Sequence, residues 1–199
     1  YKRQAYAGGI AHFFTHAFFK AQLFLASGLV IHALNNEQDV RLMGGLRKRM
    51  PLAFLAILTG VLAISGIPGF SGFFSKDQII AGTLEHGHPY LYAVGILTAG
   101  VTAYYMFRLL FITFLGEYRG NVDPTALGIQ EERMRSAPHE PETHQHHAPA
   151  WVMNLPVAVL IVPTVFAGWL LFGSSAAPSL WSRFFTPQFA PSTVPPSPM

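Results

Sequence analysis

Three titratable side chains stand four residues apart in an apolar stretch near the start of the sequence: His12, His16 and Lys20. Residues at positions i, i+4 and i+8 lie on the same side of an α-helix, so these three share one face. A charge at bilayer depth costs about 2.5–3.5 kcal/mol on insertion scales, and such a residue marks an ion pathway. Because histidine and lysine both carry protons reversibly, the spacing predicts a proton relay.

A second group of ionisable residues follows a run of helix-breaking residues. Lys76 and Asp77 come directly after a segment that contains Gly66, Pro68, Gly69 and Gly72. Proline removes a backbone donor and clashes with the preceding turn, so we expect a broken helix here. Unwound backbone at membrane depth is tolerated in protein or beside a wet cavity, and transporters place ion sites at such breaks. The acid could pair with its neighbouring lysine, pair with another helix, or cap the second half-helix.

The elements that position these residues are long apolar stretches. Of the 199 residues, 51% are hydrophobic and only 12% are charged, which is typical of an integral membrane protein. A hydrocarbon core of about 30 Å takes around 20 helical residues to cross. Four stretches are long enough, and we predict an all-α membrane protein, a bundle of about four spans with one broken helix around Gly66–Gly72. The stretches cover residues 5–34, 51–84, 89–115 and 150–173.

The sequence divides into four parts. Residues 1–116 form the predicted transmembrane module, 117–149 a polar loop, 150–173 a further helix, and 174–199 a tail rich in proline and serine. The loop is rich in histidine, but without a fixed ligand spacing we interpret it as a solvated segment and predict no metal site. The first residue is Tyr1, and the sequence stops within its proline-rich tail, so we expect a fragment of a longer protein.

Composition excludes several other classes. The chain has no cysteine, so no thiolate-bound iron–sulfur cluster or disulfide is expected on it. No phosphate-binding glycine motif is present, and a net charge of +3 without a basic aromatic platform argues against nucleic-acid binding. Basic residues instead concentrate in the segments 35–50 and 117–149, which places both on the inner side of the membrane. Arg108, near the inner end of the third span, is interpreted as a snorkelling residue or a member of a structural ion pair.

Three sequence motifs carry a family resemblance. The motifs are Thr15-His16-Ala17-Phe18-Phe19-Lys20-Ala21, Glu37-Gln38-Asp39-Val40-Arg41-Leu42-Met43-Gly44-Gly45-Leu46 and Gly69-Phe70-Ser71-Gly72-Phe73-Phe74-Ser75-Lys76-Asp77. In order and spacing they resemble the antiporter-like subunit L, or chain 5, of respiratory complex I, the NADH:quinone oxidoreductase. The resemblance is dense over residues 5–116 and fades from Glu117 onward.

The resemblance implies a proton-translocating subunit of the membrane arm, without catalytic redox chemistry of its own, driven by quinone reduction elsewhere in the complex. Lys20 corresponds to the family's central lysine, with His12 and His16 as relay histidines, and Lys76 to the lysine of the broken helix, with Asp77 beside it. NAD, FMN, iron–sulfur clusters and quinone are expected on other subunits. The implied partners are other membrane-arm subunits, the bilayer, protons and internal water. We expect a bacterial plasma membrane rather than a mitochondrial inner membrane.

The sequence alone leaves three alternative functions open. A subunit of a multisubunit cation/proton antiporter shares this helical module, and a membrane-bound hydrogenase subunit is closer still. A non-conducting membrane scaffold, in which the lysines pair with acids on partner helices, is the third alternative.

Overall fold

The computed structural model describes residues 2–34, 36–119 and 150–172, and all five elements within them are α-helices. The predicted all-α membrane bundle is therefore confirmed. The helices are α1 (Lys2–Ala33), α2 (Pro51–Ser65), α3 (Ser71–Glu85), α4 (Pro89–Phe114) and α5 (Ala150–Phe172). Three of them contain segments long and apolar enough to cross a membrane: Gly8–Ala33, Pro89–Phe114 and Trp151–Phe172. The fourth predicted span is the pair α2 and α3.

The half-helices α2 and α3 lie at the centre of the described bundle, since each contacts all the other described helices. Helix α1 contacts α2, α3 and α5, and α4 packs on α2 and α3. The inner face of α1 is buried at helical spacing through Ala11, Thr15, Phe19 and Ala26. Its outer face, like that of α4, leaves large apolar side chains exposed, as expected of helices in an apolar solvent or covered by other helices.

The predicted helix break lies between Ser65 and Ser71. Helix α2 ends where Gly66 adopts the left-handed conformation with a φ of 76°, which glycine enters without a Cβ clash. The N–H of Ile67 donates to the Leu62 carbonyl at 3.1 Å and closes the last turn. Gly72, predicted to belong to the break, lies instead in the first turn of α3. A Cβ there would collide with the Ala63 carbonyl, so this glycine permits direct backbone contact between the two half-helices.

Helix α5 contacts the segment between α2 and α3 and the first turn of α3. The Trp169 indole N–H donates to the carbonyl of Gly69 at 2.9 Å, which satisfies a backbone acceptor that the break leaves open. The Phe74 ring lies edge-to-face against Trp169, with centroids 5.1 Å apart, and stacks on Phe172. Gly168 lets α5 approach closely, since a Cβ at that position would lie 2.7 Å from the Ser71 Cα.

The segment between α1 and α2 folds over the end of α4. The N–H of Gly45 donates to the Leu115 carbonyl at 3.2 Å and that of Arg47 to the Phe114 carbonyl at 3.1 Å. Leu46 is fully buried beneath this contact. The described parts of the two basic segments thus lie together, as the charge pattern requires if both are on one side of the membrane. Most of the predicted loop 117–149 and the tail 174–199 lie outside the described residues.

Candidate proton relay between helices α1 and α3

The two histidines of α1 lie next to each other. Their ring centroids are 5.8 Å apart, and both side chains are half-buried. Phe19 closes one side of the pair, with its ring edge-to-face to that of His16 at 5.0 Å. The helical spacing of four residues thus produces the predicted neighbourhood of titratable groups.

Helix α3 contributes the Ser75 hydroxyl to this region, and α1 contributes the Thr15 hydroxyl. Ser75 Oγ lies 2.9 Å from Nδ1 of His12 and 3.1 Å from Oγ1 of Thr15. Both hydroxyl-bearing residues are fully buried. Since the hydroxyl of Thr15 also donates to the His12 carbonyl at 3.1 Å, the polar atoms of α1 and α3 form one connected cluster.

Lys76 is half-buried and reaches the end of the other half-helix. Its Nζ donates to the Ile64 carbonyl at 3.1 Å. The last carbonyls of a helix lack an intrahelical donor and carry the negative end of the helix dipole, so the end of α2 favours a cation at this point. The side chain also packs against the turn, because a Cβ at Gly66 would lie 3.3 Å from the Lys76 Cδ.

Four titratable groups form a line of interacting neighbours. Lys76 lies close enough to His12 for their charges to interact, and so does His16. His16 in turn interacts with Lys20 one turn further along α1. The structure thus places His12, His16 and Lys20 along α1, and the hydrogen bond from His12 to Ser75 brings the neighbouring Lys76 of α3 into the same region. Such a line can pass protons between adjacent groups when each changes its protonation state in turn.

Lys20 has different surroundings from Lys76. It lies in the middle of the candidate span Gly8–Ala33, yet its side chain is exposed on the outer face of α1. Its Nζ lies 5.3 Å from the centroid of the Phe24 ring, a cation–π contact. Within the described residues no carboxylate pairs with it.

Two further predicted residues lie outside this line. Asp77 is exposed, and among the described residues it forms no ion pair with Lys76 or any other cation. Of the three alternatives for Asp77, capping of the second half-helix does not hold, because α3 begins at Ser71 with Phe70 as its N-cap. Arg108 is also exposed, and the described carboxylates give it no ion pair.

Sequence reasoning missed a buried amide on the inner face of α1. Gln22 is fully buried, and its Nε2 donates at 2.7 Å to both the Ala56 carbonyl and the Thr59 hydroxyl of α2. Its Oε1 has no hydrogen-bond partner among the described residues. The signal was present in the sequence, since a polar residue within an apolar span usually faces protein and not lipid.

No metal site is apparent in the part of the chain that the structure describes, where no group of three His, Asp or Glu side chains could hold an ion. The histidine-rich tract of the predicted loop lies outside that part.

Fold and site together define a class: a membrane helix bundle whose ionisable groups line up at a broken helix, the arrangement found in ion-transporting proteins. The family of transmembrane domains described as NADH:quinone oxidoreductase/Mrp antiporter matches residues 2–102. The chain therefore belongs to this family, and it is a membrane protein.

The chain is also similar in sequence to individual quinone oxidoreductase subunits. The chain is 46% identical to NAD(P)H-quinone oxidoreductase subunit 5 of Paulinella chromatophora, over 81% of this chain and 26% of the relative. It is 45% identical to NADH-quinone oxidoreductase subunit L of Mycobacterium tuberculosis, over 83% and 24%. It is 38% identical to subunit L of Rhodobacter capsulatus, over 93% and 25%. The chain thus spans about a quarter of the length of these curated relatives, and the resemblance to subunit L is confirmed.

Proposed function

We propose that this chain forms part of a proton-translocating subunit in the membrane arm of an NADH:quinone oxidoreductase. The proposal rests chiefly on the contact between α1 and α3, in which His12 bonds to Ser75, the residue before Lys76, while His16 lies beside His12. The names of the relatives, all subunits of NADH- or NAD(P)H-quinone oxidoreductases, support it. Whether the electron donor is NADH or NADPH would then be decided by subunits outside this chain.

The protons are proposed to move along Lys76, His12, His16 and Lys20 with internal water between them. The Lys76 Nζ donates to a carbonyl at the end of α2, where the helix dipole favours a positive charge. Its charge acts on His12, and a change at one site alters the proton affinity of the next. This mutual dependence gives the line a way to respond to a charge change elsewhere in the complex.

The exposed face around Lys20 supports a larger subunit. A cation in mid-span facing lipid would cost several kcal/mol, about 2.5–3.5 even on the lower scales. We infer that helices from the remaining length of the subunit cover this face and continue the path. Exposed Phe13 and Phe24, on the same outer side of α1, supply apolar surface for that contact.

The energy source is proposed to be remote quinone reduction. The chain has no cysteine to bind an iron–sulfur cluster, so NAD, FMN, the clusters and quinone are assigned to other subunits of the complex. Its partners would be those membrane-arm subunits, the lipid, protons and internal water. The proposed location is a bacterial plasma membrane.

The test is proton translocation by the intact complex in sealed vesicles. Lys20→Ala and Lys76→Ala should lower both NADH-driven acidification and the coupled oxidoreductase rate while native gels show normal assembly. Lys48→Ala, an exposed lysine in the segment between α1 and α2, is the matched control and should behave as wild type. Normal acidification by assembled Lys76→Ala complex would instead favour the scaffold reading.

The family's own description includes an Mrp antiporter branch, so cation/proton exchange is the second candidate function. An antiporter would exchange sodium for protons across the vesicle membrane without NADH. A hydrogenase subunit would support acidification driven by hydrogen evolution from a reduced electron carrier. Acidification that requires both NADH and quinone, and that proceeds in sodium-free buffer, supports the first proposal over both.

A further inference from the structure

The hydroxyls of Ser75 and Thr15 form a hydrogen-bond arrangement that the proposed relay does not yet use. Each hydroxyl has one proton to donate and can accept further bonds, whereas a backbone carbonyl only accepts. The distances are 2.9 Å from His12 Nδ1 to Ser75 Oγ, 3.1 Å from Ser75 Oγ to Thr15 Oγ1, and 3.1 Å from Thr15 Oγ1 to the His12 carbonyl oxygen. These three contacts close a ring that starts and ends at His12.

Only one tautomer of His12 fills all three contacts. If Nδ1 carries the proton, it donates to Ser75, Ser75 donates to Thr15 or to the Gly72 carbonyl 3.3 Å away, and Thr15 donates to the His12 carbonyl. If Nδ1 is bare, Ser75 must donate to it, and the Thr15 proton then serves either Ser75 or the carbonyl but not both. The first arrangement has three hydrogen bonds and the second two. In a buried site a polar group without its bond carries a desolvation cost.

We propose that Ser75 and Thr15 hold His12 as the Nδ1–H tautomer, so that His12 gains and loses protons at Nε2. This inference rests on the proposed function and adds two positioning residues to it. Nε2 has no hydrogen-bond partner among the described residues, so it is free for exchange with water or a neighbouring group. Protonation at Nε2 leaves the ring of three bonds unchanged. The histidine can therefore load and unload without rearranging the contact between α1 and α3.

The charged groups around His12 agree with this assignment. Those that act on it are His16 on its own helix and Lys76 on α3. Neither α2 nor α5 contains a titratable side chain. The Ser75 hydroxyl occupies the Nδ1 side, so proton exchange through the other ring nitrogen separates the structural bond from the mobile proton. Metal-binding histidines use the same division, one nitrogen held and the other active.

The first experiment removes the hydroxyls in the intact complex. Thr15→Val keeps the shape of the side chain but loses the hydroxyl, whereas Thr15→Ser keeps the hydroxyl and loses a methyl group. We expect Thr15→Val and Ser75→Ala to lower NADH-driven proton translocation about fivefold, the factor for one lost hydrogen bond, and Thr15→Ser to restore it. Both variants should also change the pH profile of translocation. Wild-type rates and pH profile in assembled Thr15→Val complex would overturn the proposal.

The second experiment observes the tautomer directly. The ring-stretching infrared bands of histidine differ between the Nδ1–H and Nε2–H forms, and the bands of His12 are those lost in His12→Asn complex. We expect the Nδ1–H band in the wild type and a gain of the Nε2–H band in Ser75→Ala, where Nδ1 loses its hydrogen-bond partner. An Nε2–H band in the wild type would overturn the inference.

The proposed relay and the tautomer of His12 can be tested separately. The amide nitrogen of His12→Asn can still donate to Ser75 but cannot carry a mobile proton. Normal translocation by that variant would contradict the proposed relay itself. Loss of translocation in His12→Asn, together with an Nε2–H band in the wild type, would leave the relay intact and overturn only the role of Ser75 and Thr15.

Discussion

Polar residues on the two faces of α1 have opposite surroundings, buried on one face and exposed on the other. On the inner face, Gln22 and Thr15 are fully buried and hydrogen-bonded to α2 and α3. On the outer face, Lys20 is exposed, and its cation lies over the ring of Phe24. The inner face is thus packed within this chain, whereas the outer face is the one that we propose a partner helix covers. On that proposal, one helix is both a packing element and one half of an interface.

The largest effect is expected where the backbones of the half-helices touch. Gly72→Ala would push a methyl group into the Ala63 carbonyl, and overpacking of this kind costs about 1–3 kcal/mol or more. We expect loss of thermal stability of the complex and reduced assembly on native gels. Gly82→Ala is the matched control, because nothing lies within 4 Å of that Cβ. If the two variants were equally stable, the close contact at the break would be refuted.

The hydrogen bonds of Gln22 between α1 and α2 should contribute less to thermal stability than the Gly72 contact does. Gln22→Leu removes two interhelical hydrogen bonds, and bonds of this kind contribute about 0.6–1.7 kcal/mol in membranes. A modest fall in the thermal transition of the purified complex is the expected result. Gln38→Leu, at an exposed loop position, should leave that transition unchanged. An unchanged transition in Gln22→Leu would mean that the inner face does not depend on this amide.

The outer face can be tested by cysteine labelling. The chain has no cysteine of its own, so a single Ala21→Cys substitution places one thiol on the exposed face beside Lys20. A membrane-permeant maleimide should label this site severalfold more slowly in the assembled complex than in the isolated chain in detergent. Gln38→Cys controls for the reagent and should react in both. Equal labelling of Ala21→Cys in both states would contradict a covered outer face.

The smallest effect is expected in the exposed segment between α1 and α2. Hydrogen bonds from Arg41 hold the pKa of the Asp39 carboxyl below its usual range. Their contribution to stability is therefore present above the ordinary carboxyl pKa and is lost as the pH falls through the lowered one. Asp39→Asn should lower the free energy of unfolding by about 0.5 kcal/mol or less at pH 7, as usual for exposed pairs. A difference that persisted below the titration of Asp39 would contradict this origin.

Local pattern was enough to predict the spans, the break and the neighbourhood of His12 and His16. Each depends on helical periodicity or on the backbone chemistry of glycine and proline. The hydroxyl of Ser75 and the carbonyl that holds Lys76 were not predicted, because both contacts join residues that only tertiary packing brings together. The role of Asp77 stays a prediction: the residue is exposed, and as the neighbour of Lys76 it projects from a different side of α3.

The central claim is that the α1–α3 contact is one proton path and not two independent sites. A double-mutant cycle in the intact complex tests it, with proton translocation measured in vesicles for His12→Ala, Lys76→Ala and the double variant. Groups that act in series lose nothing further once one is removed. The double variant should therefore be no slower than the worse single variant. Losses that multiply would contradict a shared path.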